Sequence, residues 1–453
     1  AQRYAKTGVI ECLILGIQGD FGEAIYCVYG GGWTFDIPGP YHQHAGFWCG
    51  DAYAIADFRE HFAAKYETVD ALNKAWGTDF PSFEVVDFPA RGESLEKMTG
   101  QQDWPDPLAR RRWIDFVDWY RSEMTDWSDW WIERTRARFP KTPIYLCTGG
   151  DATPTHGSNF AEQCRVAAKH KAGVRITNEA SFYPTNFALT RWVASAGKHY
   201  GAYYAFEPAG AENEVGIMVR IYNATSSGAS QLHDYAGNVT NLDSTIQAQR
   251  KNIGFLFKVD NPVVPVALWY PNVHMTLAWG GFLGKSVGLR DFVDHDFVDE
   301  SMLRTGALDR YKVLVVMHGS VMEKKDAELI AGWIRRGGRV LVTDVPKFES
   351  VERTSEPETM LFGDTPQGRA LGKGEIARFE NREAMAKRLA QILTELGYPT
   401  VPVAEDGIYP TQIGPDRLLL MNLRQDATIE VKHKGKTITV EVPSLQIKDV
   451  KLP

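Results

Sequence analysis

The sequence has 453 residues, a formal net charge of −7 at pH 7, 44% hydrophobic residues and 24% charged residues. Its length predicts two or three domains, and no apolar run reaches the roughly 18–20 residues that a membrane-spanning helix needs. No basic stripe is present. We therefore expect neither nucleic acid nor a membrane as a partner.

The five cysteines all lie within the first 164 residues. An odd number without regular spacing argues against a disulfide framework, so reduced thiols and a cytoplasmic location are expected. The sequence begins at Ala1 with neither a signal peptide nor a Met start. It reads as though the chain had been entered partway through a helix.

The first strand and the first helices are predicted from local patterns. The apolar run Val9–Gln18 ends in glycine-rich sequence, as expected for a parallel strand that is buried on both faces. After a long irregular segment, Asp51 is a suitable N-cap for a helix. Aromatic residues at mixed three- and four-residue spacings predict a further helix over residues 107–138.

From residue 143 onward strands and helices alternate regularly, which predicts a parallel sheet with helical crossovers. The predicted strands end in polar residues, and polar chemistry at the carboxyl ends of successive strands is typical of (β/α)8 enzymes. Five strands are too few for a closed barrel of that kind, so either further βα units precede Ala1 or the strands form an open five-stranded sheet. The five predicted strands cover about residues 11–18, 143–148, 173–178, 202–206 and 230–234.

Two further units are predicted after the barrel-like part. Strands near residues 263–269, 311–317 and 339–343, with a helix at 324–336, follow a flavodoxin-like α/β layout. After a helix at 382–396, short alternating runs predict a small antiparallel β module. The predicted domains are 1–255, a (β/α) barrel unit; 262–400, an α/β unit; and 401–453, a small β-sandwich-like unit.

Two glutamates lie at the ends of predicted strands. Glu23 follows the first strand, and Glu207 follows the strand at 202–206. Hydrolysis of a glycosidic bond needs a carboxylic acid that protonates the leaving oxygen and a second carboxylate that acts as nucleophile or as base for water. A barrel brings such strand ends together across its mouth. We therefore predict Glu23 and Glu207 as the catalytic pair, with Glu179 as the main alternative.

The surroundings of these strand ends are rich in aromatic, histidine and carboxylate side chains. The faces of sugar rings stack on aromatic side chains, and carboxylates and amides can hold sugar hydroxyls, so these residues indicate a carbohydrate substrate. The candidate substrate-binding residues are Asp20, Trp33, His42, His44, Trp48, Asp151, Asn178, Glu179, Tyr183, His233 and Asp234.

The segment from residue 27 to residue 49 contains two cysteines and two histidines. Its thiol and imidazole groups would suit zinc, but their spacing matches no compact zinc motif, so neither a metal nor a cofactor is predicted. A metal-dependent hydrolase and a non-catalytic carbohydrate-binding or scaffold protein are the alternatives to a glycosidase. The possible zinc ligands are Cys27, His42, His44 and Cys49, and those of a metal-dependent hydrolase are His42, His44, His233 and Asp234.

The segment Leu72-Asn-Lys-Ala-Trp-Gly-Thr78, followed by Phe80, is similar to the segment after the fourth barrel strand in the family 42 β-galactosidases. The order of predicted domains also resembles that family: a barrel, an amidotransferase-like α/β domain used for trimerisation, and a small β domain. The resemblance implies that the chain begins just before the fourth strand and holds about the last five βα units. It also implies a homo-oligomer, namely a trimer.

The family resemblance further implies a retaining mechanism, with the acid/base after the fourth strand and the nucleophile after the seventh. These roles fall on Glu23 and Glu207. The family usually has Asn before its acid/base, whereas Gly22 stands here, and the loop from Gly19 to Tyr26 looks closer to the acid-bearing loop of the inverting β-amylases. The expected function is a retaining, exo-acting glycosidase for β-galactoside-like oligosaccharides, with an inverting glycosidase as the alternative.

The amidotransferase-like unit is expected to be structural. An amidotransferase of this fold needs a nucleophilic cysteine after its central strand. In this sequence Met317-His-Gly-Ser320 follows that strand, and residues 165–453 contain no cysteine. We therefore expect this unit to pack subunits together.

Overall fold

The computed structural model of the chain describes most of its residues. Within them, none of the helices combines the length and the hydropathy needed to cross a membrane. The described residues are 4, 7–16, 22–26, 47–89, 106–150, 153–179, 181–208, 213–234, 236–256, 261–278, 280–401 and 407–453.

The first part of the chain alternates strands and helices, as predicted. Its strands are β1 (Leu13–Leu15), β2 (Ile144–Thr148), β3 (Gly173–Glu179), β4 (Tyr203–Pro208) and β5 (Gln231–Leu232). Its helices are α1 (Ala52–Tyr66), α2 (Val69–Trp76), α3 (Pro107–Arg138), α4 (Phe160–Lys169), α5 (Tyr183–Tyr200), α6 (Glu214–Ser227), α7 (Ala236–Thr240) and α8 (Asp243–Asn252).

Local capping explains where the first helices begin. The Asp51 side chain accepts hydrogen bonds from the backbone N–H groups of Tyr53 and Ala54, which confirms the predicted N-cap of α1. Asp106 caps α3 in the same way, and Pro107 occupies the first turn, where no intrahelical N–H is needed. The apolar faces of α1, α2 and α3 pack into an aromatic core cluster that includes Phe58 and Trp119.

The five strands of this part form one parallel sheet in the order β1-β2-β3-β4-β5. Spatial order therefore follows chain order, which is the arrangement of consecutive βα units in a barrel wall. This sheet confirms the predicted α/β fold with parallel strands. Because the strands are parallel, their carboxyl ends all lie at one edge, and that edge positions the candidate site.

The second part contains a six-stranded sheet in the order β10-β11-β9-β8-β6-β7, parallel except for the antiparallel edge strand β10. The order of its first four strands is that of flavodoxin-like folds, as predicted. The strands are β6 (Val266–Trp269), β7 (Asp296–Val298), β8 (Val313–Val316), β9 (Arg339–Val342), β10 (Gly368–Leu371) and β11 (Gly374–Arg378). The helices are α9 (Asn272–Leu277), α10 (Phe282–Arg290), α11 (Glu300–Arg304), α12 (Lys324–Arg335), α13 (Glu356–Phe362) and α14 (Arg382–Glu395).

The last part is antiparallel, as the alternating runs predict. It contains a three-stranded sheet in the order β12-β13-β16 and the hairpin β14-β15. The strands are β12 (Ile408–Ile413), β13 (Arg417–Asn422), β14 (Ala427–His433), β15 (Lys436–Val442) and β16 (Gln446–Lys451).

One apolar core extends from the first sheet into the second. Trp192 of α5 packs on Tyr270, which follows β6, with ring centroids 3.9 Å apart. Buried charges also join the two parts, because Lys198 forms an ion pair with Asp296 of β7 at 2.6 Å. The first and second parts are thus joined by shared packing, while the predicted domain boundaries stay a prediction.

Candidate active site

Glu23 lies at the carboxyl end of β2. The backbone N–H of the next residue, Ala24, donates to the carbonyl of Cys147 at 2.9 Å, and the carbonyl of Ala24 accepts from Gln163 Nε2 at 2.9 Å. Tyr26 N–H donates to the carbonyl of His156 at 2.7 Å. These bonds fix the segment that holds Glu23, whose side chain is buried with 6% exposed.

The Glu23 carboxylate packs directly against the backbone of Gly149, the first residue after β2. A Cβ atom at position 149 would overlap that carboxylate. The φ angle of Gly149 is not in the left-handed region, so its backbone conformation would accept other residues. Glycine is required at this position because the space is already occupied by the carboxylate.

Glu207 lies near the end of β4 and forms an ion pair with Arg175 of β3 through its Oε2 atom. Both side chains are nearly buried, with 13% and 11% exposed. The Arg175 guanidinium also donates from Nη1 to Thr177 Oγ1 at 2.8 Å and from Nη2 to Cys147 Sγ at 2.9 Å. Arg175 thus connects the end of β4 with β2.

The strand register explains why these side chains meet. Cys147, Arg175 and Ala205 are paired across β2, β3 and β4, so their side chains lie on one face of the sheet. Thr177 and Glu207 both contact the Arg175 guanidinium, so their side chains lie on that same face. The pairing of β3 with β4 shifts register between Ile176 and Glu179, next to these two residues. The backbones of β2 and β4 are two inter-strand spacings apart, roughly 9–10 Å. The sheet therefore brings Glu23, packed on Gly149, and Glu207 to the same edge and the same face.

Electrostatic interactions place Glu23 and His233 near the same guanidinium. Burial raises the pKa of the Cys147 thiol; the charge of Arg175 and its hydrogen bond oppose that shift, and the charge of Glu23 adds to it. Burial lowers the pKa of His233, and the charge of Arg175 lowers it further. The His233 ring packs edge-on against Tyr145, with centroids 5.8 Å apart. His233 therefore belongs to the same cluster as the two glutamates.

Two other predicted residues have different surroundings. Burial raises the pKa of Asp234, and Arg220 of α6, 4.0 Å away, opposes that shift. Trp48 is half-buried, and its backbone N–H donates to the Tyr120 hydroxyl at 3.1 Å. Tyr120 stacks on Tyr26 with centroids 4.1 Å apart, so Trp48 is linked to the segment that holds Glu23.

The prediction for Tyr183 needs a correction. Its side chain is completely buried, its hydroxyl accepts from Arg290 Nε at 3.1 Å, and its ring packs against Tyr409 of β12 with centroids 4.7 Å apart. A ring buried in this core leaves no surface for a sugar. We therefore assign Tyr183 to packing between α5 and the last sheet.

Several predicted residues lie outside the described part of the chain, and their assignment stays a prediction. Only the backbone of Asn178 and Glu179 is described, at the end of β3. Among the described residues, no group of three or more His, Cys, Asp or Glu side chains could hold a metal ion; most of the possible zinc ligands lie outside that part. The predicted residues not described at all are Asp20, Cys27, Trp33, His42, His44 and Asp151.

Arg175 and Cys147 are site residues that the sequence patterns did not single out. A pattern for Arg175 was nevertheless present, because it is the charged residue of the predicted strand Gly173-Val-Arg-Ile-Thr177. A charge inside a parallel strand is stable only with a partner. Its partner, Glu207, is on the neighbouring strand and 32 positions away in the sequence, so local patterns could not identify the pair.

The sequence matches the model of a known protein family over part of its length. Residues 34–138 match the glycoside hydrolase family 42 model, described as β-galactosidase. The match includes the segment Leu72–Thr78, on which the predicted resemblance was based. The resemblance to the family 42 β-galactosidases is confirmed. No curated protein matches the sequence.

Solved structures of β-galactosidases and of a family 42 exo-carrageenase resemble this chain over most of its length. A β-galactosidase from Rahnella sp. R3 matches 90% of this chain and 77% of its own, with a TM-score of 0.68 and 12% identity. A β-galactosidase from Bacillus circulans sp. alkalophilus matches 90% of this chain and 78% of its own, with a TM-score of 0.64 and 12% identity. A family 42 exo-carrageenase from Bacteroides ovatus matches 92% of this chain and 65% of its own, with a TM-score of 0.66 and 14% identity. At such identities the likeness is one of fold.

Proposed function

We propose that this chain is a retaining, exo-acting glycosidase for β-galactoside-like oligosaccharides, with Glu207 as nucleophile and Glu23 as general acid/base. One observation supports this proposal most strongly. Both glutamates lie at the carboxyl edge of one parallel sheet and on the same face, close to Arg175 and Cys147. Active sites of (β/α) enzymes occupy this edge. The family match over 34–138 contains neither glutamate, so the assignment of the pair depends on this geometry.

The different surroundings of the two carboxyl groups support their different roles. The positive charge of Arg175 favours the ionised form of Glu207, which a nucleophile requires. Glu23 is buried against the Gly149 backbone, and burial favours the neutral acid that a proton donor requires. A retaining enzyme needs about 5–5.5 Å between the two carboxyl groups. Side chains that reach towards each other from β2 and β4, with backbones roughly 9–10 Å apart, are compatible with that separation.

The substrate class and the assembly of this chain are proposed from its relatives. Two of the similar structures are β-galactosidases, and a third is an exo-carrageenase, which supports an exo-acting enzyme for galactose-based glycans. We also propose a homo-oligomer, as the family resemblance implies. We also propose a reducing, cytoplasmic compartment, as the odd number of cysteines predicts; in the described part of the chain the thiols of Cys12, Cys147 and Cys164 form no disulfide.

Glutamine substitutions test the two roles separately. Glu207→Gln should lower kcat/KM on every aryl β-galactoside on the order of 10⁴-fold or more, because no carboxylate remains to attack the anomeric carbon. Glu23→Gln should cost about 10²–10⁴-fold on substrates with poor leaving groups and far less on dinitrophenyl glycosides, which leave without protonation. Steady-state kinetics across a leaving-group series measures both effects.

The control is Glu133→Gln, a change at an exposed glutamate on α3, which should keep full activity. Melting temperatures would show that all three variants fold. Near-normal turnover by Glu207→Gln would contradict the nucleophile role. Equal losses of Glu23→Gln on good and poor leaving groups would contradict the acid role.

A further inference from the structure

Arg175 is a charged residue at the centre of a buried strand. Arg175 is buried, with 9% of its surface exposed. Burying a guanidinium is costly unless it is paired and hydrogen-bonded. The side chain of its in-register neighbour on β4 is only a methyl group, that of Ala205. This small side chain leaves room for the guanidinium to reach the carboxylate of Glu207, two residues further along β4.

We propose that Arg175 is a positioning residue that holds Glu207 in one orientation and keeps it ionised for nucleophilic attack. This inference rests on the proposed function and adds a residue to it. The Arg175 guanidinium is itself fixed at two further points, by the hydroxyl of Thr177 at 2.8 Å and by the sulfur of Cys147 at 2.9 Å. A guanidinium held by three groups is a rigid partner for a carboxylate, because its planar fork of donors loses little freedom when it binds.

The ion pair determines how Arg175 acts during the reaction. In the first step a carboxylate oxygen of Glu207 forms a bond to the anomeric carbon, the bond to the leaving oxygen breaks, and Glu23 gives its proton to that oxygen. Because Arg175 contacts Oε2 of Glu207, we assign the attack to Oε1. In the second step water, deprotonated by Glu23, attacks the anomeric carbon, and Glu207 leaves as a carboxylate whose returning charge Arg175 stabilises.

The test measures the titration of Glu207 in the free protein. Carbon-13 NMR of protein with carboxyl-labelled glutamate, with the Glu207 resonance identified by its loss in Glu207→Gln, gives the titration midpoint. We expect the midpoint to rise by about one to three pH units in Arg175→Met, since a neighbouring arginine lowers carboxyl pKa values by that amount. The acidic limb of kcat/KM against pH should move in the same direction.

Three further variants complete this test. Arg175→Lys keeps the positive charge but lacks the planar fork of donors that contacts Glu207, Thr177 and Cys147, so its midpoint should stay near the wild-type value while kcat falls. Arg175→Gln removes the charge and keeps a hydrogen-bond donor; its midpoint should rise as in Arg175→Met, and it replaces that variant if Arg175→Met does not fold. Arg134→Met removes an exposed arginine of α3 and should change neither the midpoint nor the activity.

The possible outcomes separate this inference from the proposed function. An active protein whose Glu207 midpoint and acidic limb are the same in wild type, Arg175→Lys and Arg175→Met would overturn the role of Arg175. A raised midpoint in Arg175→Met together with a shifted acidic limb would support it. A raised midpoint in a protein that hydrolyses no aryl glycoside would support control of the Glu207 charge by Arg175 and contradict the proposed function.

Discussion

At the scale of single residues, the absence of a side chain matters as much as the charges do. Gly149 lies under the carboxylate of Glu23, and no other residue leaves that space open. Gly149→Ala should displace the carboxylate, lower kcat/KM about 10–100-fold on substrates with poor leaving groups, and destabilise the fold by about 1–3 kcal/mol through overpacking. Kinetics on two leaving groups and urea unfolding measure these effects.

A matched control exists in the same chain. Gly284 lies within α10, its φ angle is not positive, and a Cβ atom there would meet nothing within 4 Å. Gly284→Ala should therefore keep full activity and unfold at a slightly higher urea concentration, because alanine favours a helix over glycine. If Gly149→Ala behaved like Gly284→Ala, the close packing of Gly149 against Glu23 would be wrong.

Sequence patterns point to the two candidate glutamates because each lies where a predicted strand ends. They could not identify Arg175 as the partner of Glu207, since that pairing depends on strand register. They also placed Tyr183 in the site, whereas its ring is buried against Tyr409. Both differences arise from contacts between residues far apart in the sequence, which local patterns do not contain.

At the scale of secondary-structure elements, a hydrogen bond between the carboxyl groups of Glu123 and Asp57 links α3 with α1. Burial raises the pKa of Glu123 of α3 to about 7, and the charges of Asp57 and Asp126 and a hydrogen bond with Asp57 raise it as well. Asp57 of α1 also accepts from Trp119 Nε1 at 2.8 Å. The protonated Glu123 can donate to Asp57, and this contact joins the two helices.

The pH dependence follows from that shift. The folded pKa of about 7 lies above the reference value of 4.5, so the contribution to stability is complete below pH 4.5 and is lost as the pH rises through 7. Glu123→Gln should flatten this part of the profile, because the amide donates to Asp57 at every pH. Urea unfolding from pH 4.5 to 8 measures the slope, with the exposed Glu133→Gln as control. A slope that is unchanged in Glu123→Gln would contradict the raised pKa of Glu123.

Many elements could be predicted from local patterns, and the elements that were not predicted have at most ten residues. The helix over 107–138 and the cap at Asp51 agree with the structure because aromatic spacing and capping chemistry are local. The strands β7, of three residues, and the β10-β11 hairpin, of four and five, were not predicted. Strands this short contain too few residues to show an alternating pattern, and their pairing partners stabilise them.

At the scale of the whole molecule, the first two sheets share one core, and buried ion pairs connect them. Arg191 of α5 contacts Asp294, just before β7, at 2.9 Å, and Lys198 contacts Asp296 within β7 at 2.6 Å. The order of the elements predicted the flavodoxin-like second sheet, but the contacts between α5 and β7 depend on tertiary structure. Packing against the second part therefore fixes the position of α5, the helix that follows β3.

The proposed mechanism requires that the folded chain forms a covalent glycosyl-enzyme intermediate on Glu207. The most direct measurement is peptide mapping by mass spectrometry after incubation with a dinitrophenyl 2-deoxy-2-fluoro-β-galactoside, whose intermediate is slow to hydrolyse. The proposed mechanism predicts one fluorosugar on the peptide that contains Glu207. A fluorosugar on Glu179 or Glu23, or turnover of the parent galactoside by a protein that never acquires the label, would contradict it.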